Sequence, residues 1–324
     1  MDPVLSLLEV SKDYPGQRAV DRVSLEVARG EFFTVVGPSG CGKTTVLRLV
    51  AGFEEPTAGE VRLNGERVNG KRPCERNVST VFQSYALFPH LTVRANVEFG
   101  LRHKGRRFLG EMERRVSEVL ELVQLADKAE RRPAELSGGQ RQRVALARSL
   151  VIEPDVLLLD EPLSALDPNL RKQVRTELKS LQRRVGITFL FITHDREEAL
   201  SLSDRMAVMN RGAVAQLGAP QELYAKPQSR FVASFLGGIN WIDGAGLRPE
   251  ATRLAAAPPG DGARSVAATV LSSVFLGNCV HVQARLPEGD TVTAELSPGD
   301  SAFQEGQAVH VCWRAGDELR LAES

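Results

Sequence analysis

Apolar and polar residues alternate along 4–10 and again along 18–27, the period of strands with one face in a core. Glu31 to Val36 then runs almost wholly apolar, as a strand covered on both faces would, and leads into a glycine-rich stretch. Spacing becomes helical from Thr44 to Ala51, and Glu60 to Asn64 predicts another short strand closed by the turn pair Asn64-Gly65. Between about Leu101 and Leu150 the pattern is helical, with Val116, Val119, Leu120, Val123 and Leu125 forming one apolar stripe. Ser137 is expected to open a helix that carries Val144, Leu146, Ala147 and Leu150 inward. Apolar runs at Val156–Asp160 and Ile187–Thr193 predict two more strands of a parallel core. The first region therefore reads as α/β with a helical insertion.

After about Phe235 the pattern changes. No lysine occurs beyond Lys226, and Pro258-Pro259-Gly260 interrupts the chain. Period-two alternation follows at Val280, Val282, Ala284 and Leu286, at Val292, Ala294 and Leu296, and at Val309, Val311 and Trp313. Short strands between Gly, Pro and Asp turns predict a small all-β barrel or sandwich. The expected division is a first domain over 4–235, its helical subdomain about 86–150, and a β-rich domain over 236–324.

Charge and cysteine content narrow the functional classes. Lys and Arg total 41 and Asp and Glu total 41 in 324 residues, so no net field draws the chain to nucleic acid or an anionic membrane. The basic run Arg102–Arg107 reads as a solvated linker, and no nucleic-acid partner is expected. Cys41, Cys74, Cys279 and Cys312 are scattered with no C-x-x-C pair, which predicts neither a disulfide framework nor a zinc site and fits a reducing compartment. No uncharged apolar run approaches about 18 residues, and the N-terminus carries no apolar signal core. Any membrane passage is expected to belong to other polypeptides.

The glycine-rich stretch Gly37-Pro38-Ser39-Gly40-Cys41-Gly42-Lys43-Thr44 fits G-x-x-x-x-G-K-[ST] between a predicted strand and a predicted helix. Its glycines let backbone N–H groups turn toward phosphates, and the helix adds its positive end at the same point. In such a loop, running on to Thr45, Lys43 meets the β- and γ-phosphates and the Thr44 hydroxyl ligates Mg²⁺. Cys41 sits at a variable position and reads as a neutral spacer. Asp160 ends a buried strand, where a carboxylate can hold Mg²⁺, and Glu161 follows it. Downstream of the loop and upstream of these acids lies Leu136-Ser137-Gly138-Gly139-Gln140.

Together these three motifs resemble the ATP-binding cassette family, the engines of ABC transporters. The resemblance implies a P-loop cassette with a helical subdomain, ATP and Mg²⁺ as ligands, and Glu161 as the base that polarises the attacking water. It implies that His194, in Phe191-Ile192-Thr193-His194-Asp195, is the switch histidine facing the γ-phosphate. Gln83 matches the glutamine that reaches Mg²⁺ and the water, and Tyr14 is placed to stack on adenine. It further implies a head-to-tail homodimer in which Ser137, Gly138, Gly139 and Gln140 of one copy cover ATP held by the other. Ser164-Ala165-Leu166-Asp167 would lie at that seam.

Within the family the chain most resembles importer ATPases of the maltose, polyamine, ferric-iron and sulfate group. Three features carry this: Glu75-Arg76-Asn77-Val78 leading into 81–90, Leu236-Gly237-Gly238 with Asn240, and Leu247-Arg248-Pro249-Glu250 in the β-rich tail, similar to a transport-associated OB-like domain. A separate permease is implied, contacted through Tyr85, Ala86, Leu87 and Phe88, with a solute-binding protein as an indirect partner and a peripheral place on the cytoplasmic face of the inner (plasma) membrane. The short tail favours polyamine or ferric iron as solute. The alternatives are a sugar or sulfate importer ATPase and a cassette ATPase outside transport. Ser137 lies only 94 positions after Lys43, too close for the long coiled coils of chromosome-type relatives.

Overall fold

The computed structural model describes residues 3–103, 110–260, 263–300, 303–319 and 321. The chain divides into two compact units, Met1–Pro220 and Gln221–Ser324. Lys104, Arg106 and Arg107 of the basic run lie outside the described residues.

The first unit rests on two sheets. β1 (Leu5–Tyr14), β2 (Gln17–Val27), β4 (Ala58–Leu63) and β5 (Glu66–Arg67) make an antiparallel sheet of order β2-β1-β4-β5. β3 (Phe32–Val36), β6 (Val78–Val81), β7 (Val156–Asp160), β8 (Thr188–Thr193), β9 (Arg205–Asn210) and β10 (Ala213–Gly218) make the second, of order β10-β9-β3-β8-β7-β6. It is parallel from β9 to β6, with β10 antiparallel at one edge. Every residue of β3 and β8 is buried, as is β7 up to Leu159. Alternate residues enter different cores: Phe32, Leu157, Leu159 and Phe191 face the helical side, whereas Phe33, Val35, Leu158 and Ile192 join the core shared with β1, β2 and β4. That two-sided burial is why these strands carry no polar alternation.

Helix α1 (Lys43–Ala51) follows β3 across the glycine-rich loop. The insertion holds α2 (Val93–His103), α3 (Met112–Leu122) and α4 (Gly138–Leu150), and α5 (Pro168–Val185) and α6 (Arg196–Leu202) follow β7 and β8. The stripe expected on one helix is split. Val116 and Leu120 lie on α3, but Val123 is its C-cap, and Leu125 reaches the same core only after Gln124 takes a left-handed φ of 58°.

The second unit contains α7 (Pro220–Ala225), which begins at the boundary, and α8 (Arg230–Leu236). β11 (Asn240–Ile242) and β12 (Ala245–Leu247) pair with each other. β13 (Arg253–Ala255), β14 (Ala263–Phe275), β15 (Val280–Arg285), β16 (Thr291–Leu296) and β17 (Ala308–Arg314) form an antiparallel sheet of order β13-β17-β14-β15-β16. The alternating residues Val282, Ala284, Val292, Ala294, Val309 and Val311 build its core. The compositional shift at Phe235 falls inside this unit. Arg248 explains why: it donates to the carbonyls of Tyr224 (2.9 Å), Ala233 (2.7 Å) and Gly238 (3.3 Å), which ties α7 and α8 to the strands that follow. Among the described residues no helix is long and apolar enough to cross a membrane.

Candidate nucleotide-binding and hydrolysis site

The parallel strands deliver their chemistry at one end. The glycine-rich loop leaves β3, Asp160 closes β7, His194 follows β8 and Gln83 lies just past β6, all at carboxyl ends, where open α/β sheets place their ligands. Two glycines of the loop are sterically required. A Cβ on Gly42, whose φ is 107°, would sit 2.3 Å from the carbonyl oxygen of Ala19, and one on Gly37 would sit 2.4 Å from that of Met209. The loop is thus clamped from both sides, with Pro38, Ser39 and Gly40 exposed at its rim.

Lys43 is 5% exposed and arches over the loop, its Nζ donating to the carbonyls of Gly37 (2.8 Å) and Pro38 (2.9 Å). Thr44 and Thr45 occupy the first turn of α1, whose N-cap, Gly42, has no side chain to accept the first free N–H groups. Those donors and the Lys43 ammonium make a cradle suited to an anion. Cys41 is buried, and burial pushes its thiol above the usual range, so it is an inert wall of the loop.

Thr44 Oγ1 and Asp160 Oδ1 stand 3.5 Å apart. Asp160 titrates above the ordinary aspartate range because burial disfavours its charge and the Glu161 carboxylate adds repulsion. A hydroxyl and a carboxylate converging beside an anion cradle are hard oxygen donors of the kind Mg²⁺ takes. Glu161 has a left-handed φ of 45°, uncommon outside glycine. Its N–H donates to Ile192 (3.0 Å) and its carbonyl accepts from Ser164 Oγ (2.8 Å), so the turn is fixed on both sides. The carboxylate Oε2 lies 3.0 Å from His194 Nδ1.

Ser137 caps α4 in a reciprocal box. Its Oγ accepts from Gln140 N–H (3.3 Å), and its own N–H donates to Gln140 Oε1 (3.0 Å). A Cβ on Gly138 would meet Leu166 at 3.1 Å, and one on Gly139 would meet Leu170 at 3.3 Å, so the small residues let this helix start pack on 166–170. Asp167 caps α5 by accepting from Leu170 N–H (3.0 Å).

Residues 20–164 match the ABC transporter family profile, and residues 245–321 match that of the TOBE domain. The spermidine/putrescine import ATP-binding protein PotA of Thermobifida fusca is 45% identical, over 96% of this chain and 92% of that protein. The protein of the same name from Bacillus cereus is 43% identical, over 99% of this chain and all (100%) of that one. The chain belongs to the ABC transporter ATP-binding cassette family. Among solved structures, cbiO1 from Clostridium perfringens superposes with a TM-score of 0.64 at 30% identity, covering 69% of this chain and 92% of that one. The dimeric cassette MJ0796 bound to ADP and Pi gives 0.58 at 33% identity, covering 67% and 98%.

Three expected cassette residues fall as follows. Gln83 is exposed. Tyr14 is half-buried at the end of β1, with Lys12 Nζ 5.1 Å from its ring centroid, so a cation already covers one face. Tyr85 corrects an expectation. The resemblance places it with Ala86, Leu87 and Phe88 at a permease contact, but it is 6% exposed and its hydroxyl donates to the Pro162 carbonyl (3.3 Å). Apolar character in a loop cannot distinguish a docking face from a ring that anchors the loop.

Sequence reasoning missed Arg171 and Arg148. Arg171 donates to the carbonyls of Ser164 (3.3 Å) and Leu166 (3.0 Å) and holds the turn before α5. Arg148, on α4, donates to Tyr85 (2.8 Å) and Ala86 (2.6 Å). Helical arginines amid other charges read as solvated faces, and nothing in their spacing reports a carbonyl brought near by the fold.

Proposed function

We propose that this chain is the ATP-hydrolysing subunit of a solute importer, with a polyamine as the solute class. The observation that carries this is the extent of the similarity. Relatives named for spermidine/putrescine import match over 96% and 99% of the chain, through the C-terminal domain as well as the cassette.

In this reading ATP lies on the loop from Gly37 to Thr45, with Lys43 released from its two carbonyls to meet phosphate oxygens. Tyr14 stacks on the base after Lys12 moves aside. Mg²⁺, when bound, offsets phosphate charge, and Thr44, Asp160 and Gln83 are the residues that would hold it. Glu161 accepts a proton from the attacking water. His194, with Nδ1–H donating to Glu161, fixes that carboxylate, and its Nε2 meets the γ-phosphate in the imidazolium form, in which both ring nitrogens donate. Two copies pair so that Ser137 to Gln140 of each cover the ATP of the other, with Asp167 at the seam. Ala86, Leu87 and Phe88 receive the permease, and the assembly sits peripherally on the cytoplasmic face of the inner membrane, served by a solute-binding protein.

The test is recovery of tagged Glu161→Gln protein from native membranes with ATP, paired with uptake of labelled spermidine and ferric iron in cells lacking this chain. A multispanning permease and selective loss of spermidine uptake are expected. Loss of iron uptake alone would overturn the polyamine assignment and leave the ATPase reading standing.

A further inference from the structure

The scattered cysteines predict no zinc site, yet the C-terminal sheet gathers three unlike donors. On β15, Val282 and Ala284 are 1% and 0% exposed and fill the core, so His281 takes the opposite face. Cys279, two residues earlier, shares that face, and Glu295 on β16 is the direct cross-strand partner of His281. A thiol sulfur, an imidazole nitrogen and a carboxylate oxygen from these residues all lie within 4.8 Å of one another. His281 Nε2 is 3.4 Å from Glu295 Oε2.

We propose that Cys279, His281 and Glu295 form a divalent-metal site of the zinc class, with a fourth position open to water or an exogenous ligand. The donor set argues for that class. Thiolate and imidazole select a borderline-soft ion over Mg²⁺ or Ca²⁺, and three protein ligands are the usual complement of an open zinc site. Tetrahedral bond lengths place sulfur and nitrogen ligands about 3.5 Å apart. Closing the present gap needs only side-chain rotation at His281 and Glu295, whose side chains are 38% and 41% exposed. Cys279 is 8% exposed and already held, since its carbonyl accepts from Leu276 N–H (2.9 Å). Cys279 would bind as the thiolate, and its proton would pass to solvent as the metal enters. A cross-strand His–Glu pair explains two of these residues, but not a thiol turned to the same face.

The experiment is a Co²⁺ titration of the full chain after chelator treatment, followed by competition with Zn²⁺. About one Co²⁺ per chain with a thiolate-to-cobalt charge-transfer band is expected, displaced by Zn²⁺. Cys279→Ser should abolish the band, and His281→Gln or Glu295→Gln should weaken Zn²⁺ binding at least about tenfold. Cys74→Ser, at the exposed cysteine, should change neither. Thermal unfolding of the apo proteins, followed by Trp241 and Trp313 fluorescence in the same unit as the site, should match wild type in all four and reports folding independently. If Cys279→Ser fails to fold, the exposed Glu295→Gln carries the test. A band absent from the wild type, or lost in Cys74→Ser and kept in Cys279→Ser, would overturn the site.

Discussion

His194 and Glu161 leave the ends of adjacent parallel strands and meet with Nδ1 3.0 Å from Oε2. The contact orients a carboxylate whose backbone is already pinned at a left-handed φ. Replacing Glu161 by Gln keeps the shape and removes the proposed proton acceptor. Phosphate release should fall by about 10²–10⁴ while ATP binding persists. His194→Ala should also slow hydrolysis, by a smaller factor, with ATP affinity near normal. Single-turnover phosphate release and nucleotide binding measured together check both; a wild-type rate in Glu161→Gln would remove it as the base.

Asp160 carries a stability penalty in the ligand-free protein. Its acid holds a proton more tightly in the folded state than in the unfolded chain, because of burial and then Glu161. Ionisation therefore opposes folding as pH rises through the folded value, and the penalty vanishes below the ordinary aspartate range. Asp160→Asn should raise the thermal midpoint at pH 7 without nucleotide and lose that advantage near about pH 4. The same variant should lose hydrolysis. Thermal unfolding at the two pH values, beside ATPase assays, reads both signs.

The parts legible in the sequence are those with an unbroken local pattern. β3, β7 and β8 show as apolar runs because both faces are buried, and the loop shows because its glycines sit at fixed offsets. β14 was not legible: Ala263–Phe275 is rich in Ala and Ser, with only Ala268 and Val270 buried, so its long pairing leaves little alternation. The placement of Arg148, Arg171 and the Cys279 cluster depends on contacts between distant segments or across strands, which no single window contains.

Arg76 illustrates such a contact in a stability role. It is 2% exposed and donates to the carbonyls of Leu49 (2.7 Å), Val50 (3.1 Å) and Lys71 (3.1 Å). It thereby satisfies the C-terminal end of α1, the helix that carries Lys43 and Thr44. Arg76→Ala strips the Val50 and Lys71 carbonyls of this donor, breaks the 3.2 Å ion pair with Glu55 and opens a void, so a loss of about 3 kcal/mol is expected. Arg76→Lys should recover only part, since one ammonium cannot reproduce the fork. Urea unfolding of the three proteins tests this, and a change under about 0.5 kcal/mol would show that water replaces the guanidinium.

Arg148 joins two segments with proposed roles. It projects from α4, the helix capped by Ser137, and its two Nη groups hold the carbonyls of Tyr85 and Ala86 at 2.8 and 2.6 Å. Its guanidinium carbon lies 5.6 Å from the Phe88 ring centroid. Both held residues have left-handed φ, 61° and 44°, so the loop needs an external support to keep its shape. A rigid helix thus connects its Ser137-capped end to the proposed permease-facing loop. Arg148→Ala should release the loop with the nucleotide residues intact, leaving basal ATPase nearly unchanged. Coupling should weaken by about 1–2 kcal/mol, roughly a tenfold loss of solute moved per ATP. Proteoliposomes containing the permease measure transport and phosphate release in the same sample. A parallel fall in both rates would show that Arg148 merely supports the fold, whereas loss of transport alone makes it the link.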